Sequence, residues 1–539
     1  MMTTVAELIV DGLLRAGTRR LFGVPASGSN VEILEAARRG GLPVVLCHQE
    51  SAACIMAAVT GELTDHPGAA LSSLGAGVTA SATGLAHAFL DRSPMIFLSD
   101  RHSDAALAFT THQRVDHAAL LAPIVKGSAT VTADSVHHWV AHAAQLALKD
   151  PRGPVHLDLP ADLAGRPALP MAANFVPPSL SPPDTETLDR AATMILGARR
   201  PVVVAGLQCR SADAKWLRAF CEALPAPLLT TGKAKGAIPD PHPLSMGLFT
   251  GGAWEEPVVR RADLIITFGL DPVELMPRPW PYTAPVLALS RCASSELALG
   301  GGAAAPTLEL VGDLGSMLEE LAPRLVGRYL ADWDVGEVER WRRERVRALQ
   351  APVPGLAPHR VVEVARELTP AGTIATVDAG AHALAVTAHW QAVEPGELLI
   401  SNGLAPMGFA LPAAVAAQLV YPERRVICFT GHGGFMMIAA ELGTAARLRL
   451  PIVIVVLDDG ARSLDRMEPA PGGDEGPSMR HEGPDLAGLA RAFGVAAFVA
   501  ADERTFTAAW VSALRIAGPT LIDARIGVAS GSPPGGALP

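Results

Sequence analysis

The sequence predicts an α/β protein of three domains, each a doubly wound parallel sheet covered by helices. Three observations lead to this prediction. The chain has 539 residues, which is enough for about three domains of ordinary size. Short apolar runs alternate with helical patterns along most of the chain, as they do in parallel sheets with helices on their faces. Two proline-rich stretches, residues 166–186 and Gln350–His359, divide this alternation into three blocks.

The three blocks give the predicted domain boundaries. The first domain covers residues 1–165, and its strands are expected at LFGVP, PVVLCHQE, GAALSSLGAG, PMIFLSD and PVHLDLP. The second covers residues 187–349, with strands expected at PVVVAG, PAPLLTT, ADLIITFG and APVLALS. The third covers residues 359–526. Residues 527–539 are rich in glycine and proline and are predicted to form a flexible tail.

The bulk composition argues against several classes of function. The formal net charge of -10 argues against a nucleic-acid partner. The six cysteines lack the paired spacing of a zinc site or a disulfide framework. The N-terminus is amphipathic and carries acidic residues, unlike a secretion signal, and no apolar run is long enough to span a membrane. We therefore expect a cytoplasmic protein, and its 49% hydrophobic content favours extensive subunit contact.

The third block contains a predicted strand–turn–helix–strand unit within Arg424–Asp459. Val426–Thr430 is a short apolar run without helical period, which indicates a buried strand. Gly431–Gly434 can form a tight turn with close backbone approach. Phe435–Arg449 consists of helix formers and carries two arginines in its last turn. Ile452–Leu457 is predicted to be the second strand, parallel to the first.

The two loops of this unit predict an anion site with a cation beside it. Parallel strands place both loops at the same edge of the sheet. Gly431–Gly434 would offer backbone amides at a helix N-terminus, and Asp458 and Asp459 would bring carboxylates. A dinucleotide is the less favoured ligand. The third glycine of a Rossmann turn is replaced by Met436, and Asp458 lies 27 residues after Gly431, further than the ribose-binding acid of such turns.

Several motifs resemble one family along essentially the whole chain. GHGGFMMIAAELGTAARLRLPIVIVVLDDG resembles the thiamine-diphosphate motif of the acetolactate synthase, pyruvate decarboxylase and benzoylformate decarboxylase superfamily, which has Gly-Asp-Gly and then Asn-Asn. FGVP, HQE and LGAGVTASATGLAHAFLDRSPMIFLSD resemble landmarks of its pyrimidine-binding domain. VDAGAH and NGLAPMGFALPAAVAAQ resemble its diphosphate and thiazolium segments. The resemblance implies a pyrimidine-binding, a central and a diphosphate-binding domain, in that order.

The resemblance implies roles for residues of the first domain. Glu50 matches the glutamate that hydrogen-bonds the aminopyrimidine ring and drives the imino tautomer, which removes the thiazolium C2 proton. Its apolar flanks predict a buried carboxylate, which would need a partner. Gln113 matches a glutamine that carboligases of the family place over the reaction centre, although an exposed loop amide is an equal alternative. Ser27 is a candidate for substrate contact. The single His112 before Gln113, with Leu74 before the glycine turn, favours the acetolactate synthase side over simple decarboxylases.

The resemblance places the cofactor largely on the third domain. Met407 matches the bulky residue that holds the cofactor bent in a V, and the carbonyl of Ala405 should accept a hydrogen bond from the pyrimidine amino group. The diphosphate and its metal should be held by a further set of residues: Gly380, Ala381, His382, Gly431, Gly433, Gly434 and Asp459.

The metal site departs from the family pattern. His432 stands where the family has aspartate, and Asp458-Asp459 stands where it has Asn-Asn, although the spacing of 27 residues from His432 to Asp459 is retained. The implied ligands are His432, Asp459 and the carbonyl of Ala461. Three outcomes are open. The site could prefer another divalent cation over magnesium, because magnesium favours oxygen ligands. A protonated His432 could instead pair with Asp459 and contact the diphosphate without metal, with Arg462 adding charge, or the site could be inactive.

These features together predict a thiamine-diphosphate-dependent C–C lyase or carboligase acting on a 2-oxo acid or related carbonyl compound, with an atypical metal site. The active site should lie between Glu50 of one subunit and the loop that carries His432 of another, so we expect at least a homodimer and predict a homotetramer. A catalytically impaired paralogue or partner subunit that binds the cofactor is the alternative. In the central domain we predict no FAD.

Overall fold

The computed structural model describes residues 3–24, 28–171, 175–252, 254–275, 279–297, 305–327, 331–350, 352–460 and 483–527. Within these residues the chain forms three six-stranded sheets, each wholly parallel and interleaved with helices. The prediction of three parallel-sheet α/β domains is therefore confirmed. None of the helices in the described ranges is long and apolar enough to cross a membrane.

The first sheet is formed by the N-terminal part of the chain. Its strands are β1 (Leu21–Gly23), β2 (Val44–Leu46), β3 (Gly68–Ser72), β4 (Met95–Arg101), β5 (Ser128–Thr130) and β6 (Pro154–Pro160). Its helices are α1 (Val5–Arg15), α2 (Ser29–Gly40), α3 (Glu50–Thr64), α4 (Ala76–Leu90), α5 (Asp104–Leu107), α6 (His117–Leu121) and α7 (Val136–Leu148). The strand order is β2-β1-β3-β4-β6-β5. Strand β3 is buried along its whole length, as expected for a parallel strand covered on both faces.

The second sheet is formed by the central part. Its strands are β7 (Pro201–Ala205), β8 (Leu228–Thr230), β9 (Ser245–Leu248), β10 (Leu264–Phe268), β11 (Val286–Ser290) and β12 (Leu308–Val311). Its helices are α8 (Thr185–Gly197), α9 (Ala214–Ala223), α10 (Glu256–Val259), α11 (Ser294–Leu297), α12 (Leu314–Leu321) and α13 (Val335–Ala348). The strand order is β12-β11-β10-β7-β8-β9. In this sheet the first strand, β7, pairs with the fourth, β10, whereas in the first sheet the first strand, β1, pairs with the third, β3.

The third sheet carries the predicted strand–turn–helix–strand unit. Its strands are β13 (Ile374–Val377), β14 (Leu398–Ile400), β15 (Val426–Gly431), β16 (Ile452–Asp458), β17 (Ala496–Ala500) and β18 (Thr520–Arg525). Its helices are α14 (Pro358–Glu367), α15 (His382–His389), α16 (Ala410–Val420), α17 (His432–Ile438), α18 (Glu441–Arg447), α19 (Leu486–Ala492) and α20 (Glu503–Ala513). The strand order is β14-β13-β15-β16-β18-β17. The third sheet therefore repeats the order of the first.

Close contacts group the chain into two compact units. The first unit consists of Met1–Ser179, Leu411–Pro422 and Ile438–Leu450, and the second of Leu180–Ala410, Glu423–Met437 and Pro451–Pro539. Helix α18 is thus grouped with the first sheet, although it lies between β15 and β16 in the sequence.

One predicted helix is wrong in its extent. The sequence predicted a single helix over Phe435–Arg449, whereas the structure has α17, which already begins at His432, and α18, with a turn at residues 439–440 between them. The amides of Leu442 and Gly443 bond the carbonyls three residues before them, which tightens the chain at this break. The chain passes from the second unit to the first at Ile438, so the two helices have different packing partners, which a pattern of helix formers cannot reveal.

Candidate active site

The residues predicted to hold the cofactor lie at one edge of the third sheet. Strand β15 pairs with β13 on one side and with β16 on the other, so the loops that follow these three strands share the carboxyl edge. Gly380 and Ala381 lie between the end of β13 and the start of α15. Gly431 ends β15, Gly433 and Gly434 lie in the first turn of α17, and Asp459 follows β16.

A buried carboxylate ties several of these segments together. Asp378, directly after β13, accepts hydrogen bonds from the amides of Gly408 at 2.8 Å and Phe409 at 3.1 Å. Its second oxygen accepts from the hydroxyl of Thr430 at 2.9 Å. A Cβ at Gly434 would collide with the same oxygen, so this first turn of α17 needs glycine. Burial raises the pKa of Asp378 to about 6, against the opposite effect of these hydrogen bonds.

The turn before α16 holds Met407 over the start of α17. Ala405 has a left-handed backbone with φ of 50°, a conformation that non-glycine residues adopt where surrounding structure holds them. Its amide donates to the hydroxyl of Ser401 at 3.2 Å. A Cβ added at Gly433 would lie 2.7 Å from Cε of Met407, so the thioether covers this glycine. The arrangement suits the bulky support implied for Met407. Asp378 fixes the same turn by accepting a hydrogen bond from the amide of Gly408.

His382 offers a buried ring atom that lacks a protein partner. The imidazole lies against Gly380 and Gly431, where an added Cβ would be 2.9 Å and 3.0 Å from its Nδ1. Burial lowers the pKa of His382 to about 4, against the opposite effect of a hydrogen bond to the backbone of Asp378. Its Nε2 is buried and has no hydrogen-bond partner among the described residues. An unsatisfied buried group is unfavourable. A diphosphate would satisfy it, because a neighbouring anion favours the protonated ring, which donates from Nε2.

His432 makes its contact with Asp458. Its Nδ1 lies 3.3 Å from Oδ1 of Asp458, an oxygen that also accepts from the amide of Gly460 at 3.0 Å. The ring is covered by Gly483, where a Cβ would collide with it. Asp459 is the next residue and is half-buried. Ala461 and Arg462 lie outside the described residues, so the implied carbonyl ligand has no described position.

The residues predicted in the first domain differ from expectation in their exposure. Glu50 is the first residue of α3 and is half-buried rather than buried, and no described residue accepts from or donates to its carboxylate. The exposure of Glu50 in the single chain is therefore greater than expected, and the partner implied by the resemblance, the aminopyrimidine ring, stays a prediction. Gln113 is exposed, has φ of 52°, and lies beside Gly75, where an added Cβ would be 2.9 Å from that of Gln113. Ser27 lies outside the described residues.

A buried network that the sequence did not reveal supports the glycine turn of the first domain. The amide of Gly75 donates to Nε2 of His117 at 3.1 Å, so Nδ1 of this ring carries the proton and donates to Asp158 at 3.0 Å. Ser99 donates to the same carboxylate at 2.7 Å and lies 2.8 Å from His156. The ligand atoms of the two histidines and Asp158 lie within 4.8 Å of one another, close enough for a metal. The ring nitrogens already have partners, however, and so we interpret the cluster as structural.

Two parts of the site, Asp378 and the pair of His117 and Asp158, were not predicted from the sequence. Asp378 is the acid within the VDAGAH motif, at the end of an apolar strand, and this position could have marked it as an edge carboxylate. His117 and Asp158 are 41 residues apart in the chain, and their meeting depends on the pairing of distant elements. No local sequence signal predicts that contact.

Comparisons with known proteins agree with this geometry. Residues 3–120 match the thiamine pyrophosphate enzyme N-terminal TPP binding domain, residues 188–321 the central domain, and residues 378–524 the C-terminal TPP binding domain. The acetolactate synthase of Bacillus subtilis is 29% identical over 473 residues, covering 85% of this chain and 82% of that protein. The catabolic acetolactate synthase of Raoultella terrigena is 27% identical over 535 residues, covering 96% and 94%. The chain therefore belongs to the family of thiamine-diphosphate-dependent (thiamine pyrophosphate) enzymes.

Proposed function

We propose that this enzyme is an acetolactate-synthase-like carboligase or lyase that forms or breaks a C–C bond of a 2-oxo acid or related carbonyl compound. One observation carries the proposal. Asp378 contacts both the turn that holds Met407 and the first turn of α17, and Met407 covers that first turn. The unpartnered Nε2 of His382 adds an anion-binding group at the same sheet edge. The names of the relatives, which are acetolactate synthases, support the same class of reaction.

Each group at this edge has a role that its position supports. When bound, thiamine diphosphate supplies the electron sink that C–C cleavage beside a carbonyl requires. His382 and the backbone around Gly380 and Gly433 would hold the diphosphate. Met407 would support the bend between the two rings, and the carbonyl of Ala405 would accept from the pyrimidine amino group.

Glu50 would hold and move the proton at the aminopyrimidine ring. Its carboxylate is half-buried and has no protein partner among the described residues, which leaves it available to a ligand. We propose at least a homodimer, in which Glu50 of one subunit serves the cofactor held by the third domain of the other. A homotetramer would be a pair of such dimers.

The proposal is tested by the exchange of the C2 proton of the cofactor with solvent deuterium. We expect exchange in the wild type and a fall of about 100-fold or more in Glu50→Gln, because general acid–base groups contribute at least this much. Glu62→Gln, on the same helix, is the matched control and should exchange as the wild type does. A panel of 2-oxo acids with product analysis then identifies the substrate. Equal exchange in wild type and Glu50→Gln would contradict the assignment.

The alternative is a paralogue that binds the cofactor without turnover, and one observation favours it: His432 replaces the family's aspartate. The same exchange experiment separates the two readings. Cofactor binding without C2 exchange in the wild type would support the paralogue.

We further propose that the cofactor is bound with an atypical metal or with none. His432 and Asp458 present an imidazole nitrogen and a carboxylate in contact, and Asp459 follows. A set with a nitrogen ligand suits manganese, cobalt, nickel or zinc better than magnesium. Metal analysis of the purified enzyme, with cofactor titration in the presence and absence of chelator, tests this. We expect His432→Asp to restore a preference for magnesium. Tight, magnesium-specific cofactor binding by the wild type would contradict the proposal of an atypical metal site.

A further inference from the structure

Helix α18 lies against the turn that precedes Glu50. Glu441, its first residue, is fully buried, and its Oε1 accepts hydrogen bonds from the amides of His48 at 2.9 Å and Gln49 at 3.1 Å. Its Oε2 accepts from the hydroxyl of Thr444 at 2.6 Å. Both oxygens of this buried carboxylate therefore have donors, as a buried charge requires.

The other end of the helix holds the same turn at a second point. Arg447, the last residue of α18, donates to the carbonyl of Leu46, which ends β2. Glu441 and Arg447 thus bracket the four residues from Leu46 to Gln49. Both contacts lie within the first unit.

The bracketed turn determines where α3 begins. Gln49 is the N-cap of α3 and Glu50 is its first residue, so the backbone amides that Glu441 holds lie one and two positions before the catalytic candidate. Among the described residues, the N-cap side chain makes no capping hydrogen bond to this helix start. The two amide bonds to Glu441 therefore replace a local cap as the constraint on the turn.

We propose that Glu441 is a positioning residue for Glu50. The proposal rests on the proposed function, because it takes Glu50 as the residue that moves a proton at the aminopyrimidine ring. Proton transfer needs hydrogen-bond distance, and a displacement of about 1 Å can lower a rate by about 100-fold. Glu441 touches neither the substrate nor the reacting atoms, and it acts by fixing the chain before Glu50.

The contact geometry gives a graded set of variants. Glu441→Met removes both acceptors at similar side-chain length and leaves two amides unsatisfied. Glu441→Gln keeps one neutral acceptor oxygen and serves as the conservative variant if the methionine variant does not fold. Thr444→Val is the matched control, because it removes the hydroxyl that bonds Oε2 and leaves both bonds to Oε1.

Two measurements on the full-length protein test the proposal. The first is deuterium exchange of the backbone amides in a peptide spanning residues 46–50 of the cofactor-free protein. We expect exchange about tenfold faster in Glu441→Met, and a smaller increase in Glu441→Gln, because hydrogen bonds to charged groups are the stronger kind. The second is C2 proton exchange at saturating cofactor, which should fall about tenfold in Glu441→Met while the cofactor Kd changes by less than about twofold. Thr444→Val should resemble the wild type in both.

The outcomes distinguish this proposal from the one on which it rests. Wild-type amide exchange in Glu441→Met, or unchanged C2 exchange, overturns the positioning role. A large loss of cofactor affinity also overturns it, because the residue would then act on binding. Failure of the wild type to exchange the C2 proton refutes the proposed function instead, and the amide measurement, which needs no cofactor, still decides whether Glu441 fixes the turn.

Discussion

The carboxylate of Asp378 links the turn containing Met407 to the start of α17. Asparagine at this position would keep one acceptor oxygen but would place an NH2 group against the donors of Gly408 and Thr430. We expect Asp378→Asn to weaken cofactor binding about tenfold, or ~1.4 kcal/mol, which is close to the lower end of the range for hydrogen bonds to charged groups. Calorimetric titration with thiamine diphosphate measures the effect.

Thr430→Val provides the control for Asp378. This variant loses the hydroxyl bond but leaves the amides of Gly408 and Phe409 on the carboxylate, and we expect it to bind the cofactor within about twofold of the wild type. Thermal unfolding of the cofactor-free variants separates a local effect from a global one. Wild-type affinity in Asp378→Asn would show that the carboxylate does not shape the site.

Residues that lie in a recognisable motif could be predicted from the sequence, whereas residues whose contacts form only in the folded chain could not. His382 and Met407 follow from motif resemblance, and the structure places them at one sheet edge. The contacts that give Asp378 and Glu441 their proposed roles are distant in the chain: Gly408 lies 30 residues from Asp378, and the turn held by Glu441 lies 393 and 392 residues before it. Such contacts depend on tertiary packing, so no local pattern in the sequence predicts them.

At the scale of elements, strands were easier to predict than helix limits. β15 and β16 consist mostly of buried apolar residues, and both were predicted to within one residue of their observed ends. The short edge strands β5, β9 and β12 were not predicted, because polar residues or glycine interrupt their apolar runs, unlike those of the equally short β2 and β8. The break between α17 and α18 arises where the chain changes packing partners, which explains why helix propensity alone did not reveal it.

At the scale of the whole molecule, two kinds of sheet are combined. The first and third sheets share one strand order, which reverses between β1 and β3 and between β13 and β15, whereas the central sheet has a different order, which reverses between β7 and β10. This is the arrangement in which dinucleotides bind at the carboxyl edge, where the order reverses. The central domain therefore has the topology of a nucleotide-binding domain, and its loops decide whether a nucleotide can bind.

The loops at this reversal are bonded to the protein itself. The amide of Gly206 donates to Phe268, that of Leu207 to the Glu274 carboxylate at 2.8 Å, and that of Gln208 to Gly269. A Cβ on Gly206 would lie 2.7 Å from Oε2 of Glu274, so the carboxyl group fills the space where a phosphate would approach. Burial raises the pKa of Glu274 to about 8, which favours a neutral carboxyl group at this position.

We therefore predict that the central domain binds neither FAD nor another dinucleotide. The purified enzyme should show no visible flavin absorbance, and an acid extract should contain no flavin. Titration with FAD, NAD and ADP should give no heat of binding, because the amides that would hold the phosphates are already satisfied. Glu274→Gln keeps the acceptor oxygen for Leu207 and should behave in the same way. Stoichiometric flavin in the extract would contradict the prediction and show that these loops open to admit a ligand.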